Sequence, residues 1–172
     1  SPEILSLLSR CRDMSPRPDQ LLYLDIETTG LAGGTGTYAF LVGAGFFEDG
    51  SFVVRQYFMR DLDEEPALLS ALHELLPRFE GWVTYNGRAF DLSLLETRFI
   101  LARRPWPSPL WHLDLLPAAR RVWASRLADC RLVTVEAHAL GLRREDDVPG
   151  SLIPALYFEY LRRRQTGALL KL

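Results

Sequence analysis

The chain is 172 residues long, enough for one domain with its own core and too short for two comfortable ones. Hydrophobic residues make up 48% and charged residues 24%, which excludes disordered and collagen-like classes. A net charge of −2 and a pI near 5.9 argue against a protein that coats nucleic acid stoichiometrically, but not against one whose acids offset local basic patches.

No apolar run approaches the roughly 20 residues of a membrane span, and no basic stretch leads into an apolar one at the start. A soluble, cytoplasmic protein without membrane association is therefore expected, and a chain opening at Ser1-Pro2 without Met reads as a fragment or excised domain. Cys11 and Cys130 read as buried thiols, and no Cys/His set has zinc-ligand spacing. Oligomeric state is not legible.

In chain order, Ile4 to Leu8 suggest a short helix closed by Pro16 and Pro18, so residues 1–19 form a helix and linker ahead of a domain over 20–172. Leu21 to Glu27 is a mostly apolar run, the pattern of a strand covered on both faces. After the Gly30 and Gly33–Gly36 breaks, strands over about Tyr38–Phe47 and Phe52–Met59 flank the Glu48-Asp49-Gly50-Ser51 turn, predicting a hairpin. Leu68, Leu72, Leu75, Leu76 and Phe79 then recur at helical spacing behind Glu64-Glu65-Pro66.

Trp82 to Tyr85 is a fourth strand, and Asn86-Gly87 turns into a helix carrying Phe90, Leu94, Phe99 and Ile100, which Pro105 and Pro107 end. Leu110 to Leu113 is a fifth strand. Helices follow around Leu116–Trp123, Leu132–Leu140 (with Gly141 as C-cap) and Ile153–Arg164. The sum is an α/β fold: a mixed five-stranded sheet, an antiparallel hairpin plus parallel strands, flanked by helices.

Asp25 and Glu27 stand two residues apart on a strand and so project from one face, while Leu24 and Ile26 face the other way. Two carboxylates on an otherwise buried strand repel each other and resist desolvation. A strand end emerging into solvent would relieve this, and so would bound Mg2+ or Mn2+, which favour hard oxygen ligands. Asp91 enters the helix after the fourth strand. If that strand lies beside the first, three acids converge at strand ends, as a two-metal phosphodiesterase requires. Taken alone, Asp91 is an acid at a helix N-terminus.

These residues resemble a known family. Asp25-Ile26-Glu27-Thr28-Thr29-Gly30-Leu31 is similar to the first motif of the DEDD (DnaQ-like) 3′–5′ exonuclease superfamily, and Tyr85-Asn86-Gly87-Arg88-Ala89-Phe90-Asp91 to its second. Leu113-Asp114-Leu115-Leu116-Pro117-Ala118-Ala119-Arg120-Arg121 is similar to a segment that follows in that family. Gly33 to Gly43, and Asp147 to Pro154 ahead of Tyr157-Phe158-Glu159-Tyr160-Leu161, resemble the YprB-like branch.

The resemblance implies a ribonuclease H-like fold and hydrolysis of DNA or RNA from a single-stranded 3′ end. It implies two metals, Mg2+ or Mn2+, on Asp25, Glu27 and Asp91 as catalytic and metal-binding residues. It also implies a third motif, His-x4-Asp or Tyr-x3-Asp. His73, His112 and His138 lead instead to Arg78, Pro117 and Arg143, and Tyr157 and Tyr160 to Leu161 and Arg164. The expectation is a domain truncated before that motif.

Other residues keep two readings. Thr28, Thr29 and Gly30 could bind a terminal nucleotide or simply form a turn, and Asn86 could touch its sugar or be a left-handed turn residue. Phe90 could stack on a base or pack. Asp114 reads as a helix N-cap rather than a ligand. Three functions therefore compete: an exonuclease, a binding module that has lost catalysis, and a structure-selective endonuclease on the same fold.

Overall fold

In a computed structural model, the structure describes residues 17–30, 35–144, 148–164 and 166–167. The helix expected at Ile4 to Leu8, together with Cys11, Gly33 and Asp147, lies outside the described residues. Five strands, β1 (Leu21–Thr28), β2 (Ala39–Glu48), β3 (Ser51–Phe58), β4 (Gly81–Thr84) and β5 (Trp111–Asp114), form one sheet in the order β3-β2-β1-β4-β5. β1 is central, antiparallel to β2 and parallel to β4, and β5 continues the parallel half. The α/β class and the mixed sheet thus stand as expected.

The β2–β3 turn has positive φ at both Asp49 (50°) and Gly50 (78°), the geometry that lets a two-residue loop follow the twist of its strands. Five helices follow the sequence pattern: α1 (Glu65–Leu75), α2 (Asp91–Leu101), α3 (Leu115–Trp123), α4 (Leu132–Ala139) and α5 (Ile153–Arg163). α2 stops before its prolines, because Arg103 turns left-handed at φ 55°. Gly141, at φ 67°, ends α4 as its C-cap pattern predicts. Among the described residues, no helix is long and apolar enough to cross a membrane.

One sheet face carries the main core. Leu22, Leu24 and Ile26 of β1 pack with Val42, Ala44 and Phe46 of β2 against Leu69 and Leu72 of α1, Leu95 and Phe99 of α2, and Tyr157 of α5. Phe40 and Tyr157 stack with ring centroids 3.9 Å apart. Leu21, Val83, Trp111 and Leu113 form a smaller cluster on the other face. β1 was expected to be covered on both faces, but this holds only at its start. Along the second face burial falls from Leu21 through Tyr23 to an exposed Asp25. The cause is register: Leu21, Leu22 and Tyr23 pair with Gly81, Trp82 and Val83, so β4 ends while β1 runs on.

Candidate active site

The site is built where β1 outruns β4. Asp25 and Glu27 occupy the uncovered stretch, opposite Gly43 and Leu41 of β2. Asp91 is the first residue of α2, and the loop from Tyr85 to Phe90 carries the chain across from β4. All three acids line one cleft of about 560 Å3, together with Ile26, Thr28, Gly30, Thr37, Tyr85, Asn86 and Phe90. That volume suits a small ligand or a chain terminus. Ser93, Leu94 and Thr97 of α2 form the wall beyond Asp91.

The electrostatics of the cleft are unfavourable to its own acids. Asp91 is pushed up to about 7, first by burial and then by the charges of Asp25, Glu27 and Asp114. Burial also raises Asp25, because the cleft walls displace water even though its side chain stays accessible. Arg144 and the backbone N–H of Ile26 partly oppose that rise. Arg144 is itself held by Glu136, with Nε and Nη2 donating to its carboxylate at 2.9 and 3.0 Å.

Do these residues suit a metal? The donor set does, being three hard carboxylates whose mutual repulsion a divalent cation would relieve. The side chains do not close into a shell as they stand: among the described residues, no group of three acids, histidines or cysteines is close enough to hold an ion.

The remaining predicted residues divide. Thr28, Gly30, Asn86 and Phe90 line the cleft, and Phe90 is 58% exposed at its rim. Thr29 is not among the lining residues. Its Oγ1 accepts the Tyr38 N–H at 2.9 Å and its own N–H donates to the Tyr38 carbonyl, which closes the loop entering β2. Asn86 is the left-handed residue that one of its two readings requires, at φ 68°. Asp114 caps α3 by accepting the Leu116 N–H at 3.0 Å.

Sequence reasoning missed several participants. Tyr85 lines the cleft and donates its hydroxyl to the Cys130 carbonyl, tying the loop to the segment before α4. Arg98 reaches from α2 to donate to Glu65 and to the Thr35 carbonyl, and lies over the Tyr38 ring at 4.0 Å. These contacts join residues 33 to 63 positions apart, which local periodicity cannot reveal.

A family model described as the RNase_H superfamily matches residues 22–172. The protein YprB of Bacillus subtilis is 38% identical over 154 residues, which are 88% of this chain and 37% of that protein. The structure of the family B DNA polymerase from Pyrobaculum calidifontis superposes with a TM-score of 0.60 at 18% identity, over 91% of this chain and 23% of that one. The zinc-bound complex of E. coli ExoI with single-stranded DNA gives 0.60 at 15% identity, over 84% and 41%. The chain thus spans well under half the length of each of these proteins. At such identities the solved structures speak for the fold alone.

Proposed function

The chain belongs to the RNase H superfamily, and from that premise we propose that it is a divalent-metal-dependent nuclease, a 3′–5′ exonuclease on DNA or RNA that favours single-stranded 3′ ends. The observation that carries this reading is the meeting of Asp25, Glu27 and Asp91 in one cleft at the open end of β1, with Asp91 raised to about 7. The complex of E. coli ExoI with single-stranded DNA among the structural neighbours is in keeping with a single-stranded partner.

In this proposal Asp25, Glu27 and Asp91 hold Mg2+ or Mn2+. When bound, the cations supply charge stabilisation and a water of lowered pKa for phosphodiester hydrolysis. Oxygen from water joins the terminal phosphorus, the bond to the preceding 3′ oxygen breaks, and a nucleoside 5′-monophosphate leaves. The chain's own residues orient the strand. Phe90 at the rim stacks on the terminal base, while Asn86, Thr28 and Gly30 approach its sugar and phosphate. No His or Tyr that follows Asp91 in the sequence opens a third motif, so the share of the mechanism assigned here is metal binding and strand positioning.

A binding module without hydrolysis, on the same fold and cleft, is the second reading. Calorimetry with Mn2+, followed by release of mononucleotides from a 5′-labelled single strand, separates the two. Uptake of Mn2+ and stepwise shortening are expected, both lost in Asp25→Ala. Shortening that survives Asp25→Ala would overturn the assignment. Strand binding without metal uptake would leave the binding module, and cleavage of circular strands would make the activity endonucleolytic.

A further inference from the structure

The three acids come from two elements, and the relation between them depends on a short loop. Asp25 and Glu27 are fixed by strand pairing on β1. Asp91 is fixed by α2, whose first turn hangs from the loop: Leu92 N–H donates to the Gly87 carbonyl at 2.9 Å and Leu94 N–H to the Phe90 carbonyl at 2.9 Å. Whatever holds residues 86–88 therefore sets where Asp91 stands.

Three devices converge there. Asn86 takes the left-handed conformation. Gly87 lies so close over Thr84 that an added Cβ would come within 2.5 Å of the Thr84 Cβ. The third device is Asp114. By register Asp114 lies beside Thr84, the residue from which the loop departs. Its Oδ1 accepts the N–H of Asn86 at 2.7 Å and of Leu116 at 3.0 Å, and its Oδ2 accepts the N–H of Arg88 at 3.1 Å. Capping α3 needs only one of these bonds. The other two hold the backbone on either side of Gly87.

Resting on the nuclease reading above, we infer that Asp114 is a positioning residue for the metal site, setting Asp91 against Asp25 and Glu27 through its grip on the loop. An acid is needed because three N–H donors meet one side chain from two sides. An amide offers a single acceptor oxygen and would turn its NH2 toward the Arg88 N–H. Serine caps a helix about as well as aspartate and cannot reach both loop donors.

The test compares the wild-type chain with Asp114→Ser and Asp114→Asn by Mn2+ calorimetry, alongside thermal unfolding and amide exchange at Asn86 and Arg88. Changing a group that orients a metal ligand typically weakens metal binding by roughly 10- to 100-fold. About a 10-fold loss of Mn2+ affinity is expected in both variants, with faster exchange at both amides in Asp114→Ser and at the Arg88 amide in Asp114→Asn, and a Tm near that of wild type, since Ser and Asn still cap α3. Wild-type Mn2+ affinity in Asp114→Ser would overturn this inference and leave the nuclease reading intact. A wild-type chain that takes up no Mn2+ at all would overturn both.

Discussion

Glu65 and Asp91 are both the first residue of an 11-residue helix, and both are largely withdrawn from water. The positive end of a helix dipole favours a carboxylate equally at each position. Their surroundings differ in sign. Glu65 receives the guanidinium of Arg98, with side chains 14% and 6% exposed, and Nη1 of Arg98 donates to the Thr35 carbonyl. Asp91 faces Asp25, Glu27 and Asp114, and none of the ion pairs among the described residues involves it. One acid is compensated within the fold and the other is left with its repulsion. A compensated acid serves the architecture. An uncompensated one holds free energy that an incoming cation can recover, which is how a metal site differs from a structural ion pair built of the same atoms.

Breaking the compensated side should have the largest effect. Arg98→Met leaves Glu65 without its partner at a nearly buried position, which costs about 3–5 kcal/mol. It also frees the Thr35 carbonyl and the loop that enters β2. Urea unfolding should show the loss as a lower midpoint at unchanged slope. Adding Glu65→Leu should recover most of it, because two apolar side chains need no compensation. A double variant as unstable as the sum of the singles would mean that the pair is not the unit described here.

The uncompensated side should respond in the opposite direction. An acid raised in the fold binds more protons there than when unfolded, so stability falls as pH rises. For Asp91 the penalty begins above the unfolded carboxyl pKa near 4 and is complete above about 7. Asp91→Asn should therefore stabilise the metal-free chain at pH 8, by about 1–3 kcal/mol after allowing for partial exposure, and should change little at pH 4. Mn2+ should reverse the order at pH 8, raising the Tm of wild type and not of the variant. Thermal unfolding in EDTA and in Mn2+ across that range checks both signs. A pH-independent gain would place the effect in packing rather than charge.

The contrast between these two acids also marks how far the sequence could be read. The alternation of Leu22, Leu24 and Ile26 with Asp25 and Glu27 placed the acids on one face of β1, and Asp-Gly at 49–50 placed the hairpin. These are local signals with a period of two residues. Whether Glu65 or Asp91 finds a cation depends on which segments the fold brings together. Arg98 lies 33 residues from Glu65, and nothing in its neighbourhood marks it as a partner. The register between β1 and β4 is equally silent in the sequence, and it decides that Asp25 is open while Leu21 is buried. Asp114 was legible as a cap because capping is local, but its bonds to Asn86 and Arg88 span 28 and 26 residues. Thr29 had two readings, contact with a nucleotide or a turn, and its hydroxyl closes the loop that enters β2.

The smallest effect on stability should come from Asn86→Gly, in the loop that leads into Asp91. At φ 68° an asparagine bears a modest strain that glycine does not. Against that relief, glycine gains more freedom in the unfolded chain, so the two terms offset to within about 0.5 kcal/mol. The backbone N–H that donates to Asp114 is retained in the variant. Stability and Mn2+ affinity should thus stay near wild type, because nothing that sets Asp91 has been removed. What disappears is the amide side chain lining the cleft. If that amide contacts the terminal sugar, KM for a short single strand should rise by about 10-fold, the equivalent of one hydrogen bond of roughly 1.4 kcal/mol. An unchanged KM would reduce Asn86 to its turn, and would leave Phe90 and the placing of Asp91 as what this loop brings to the site.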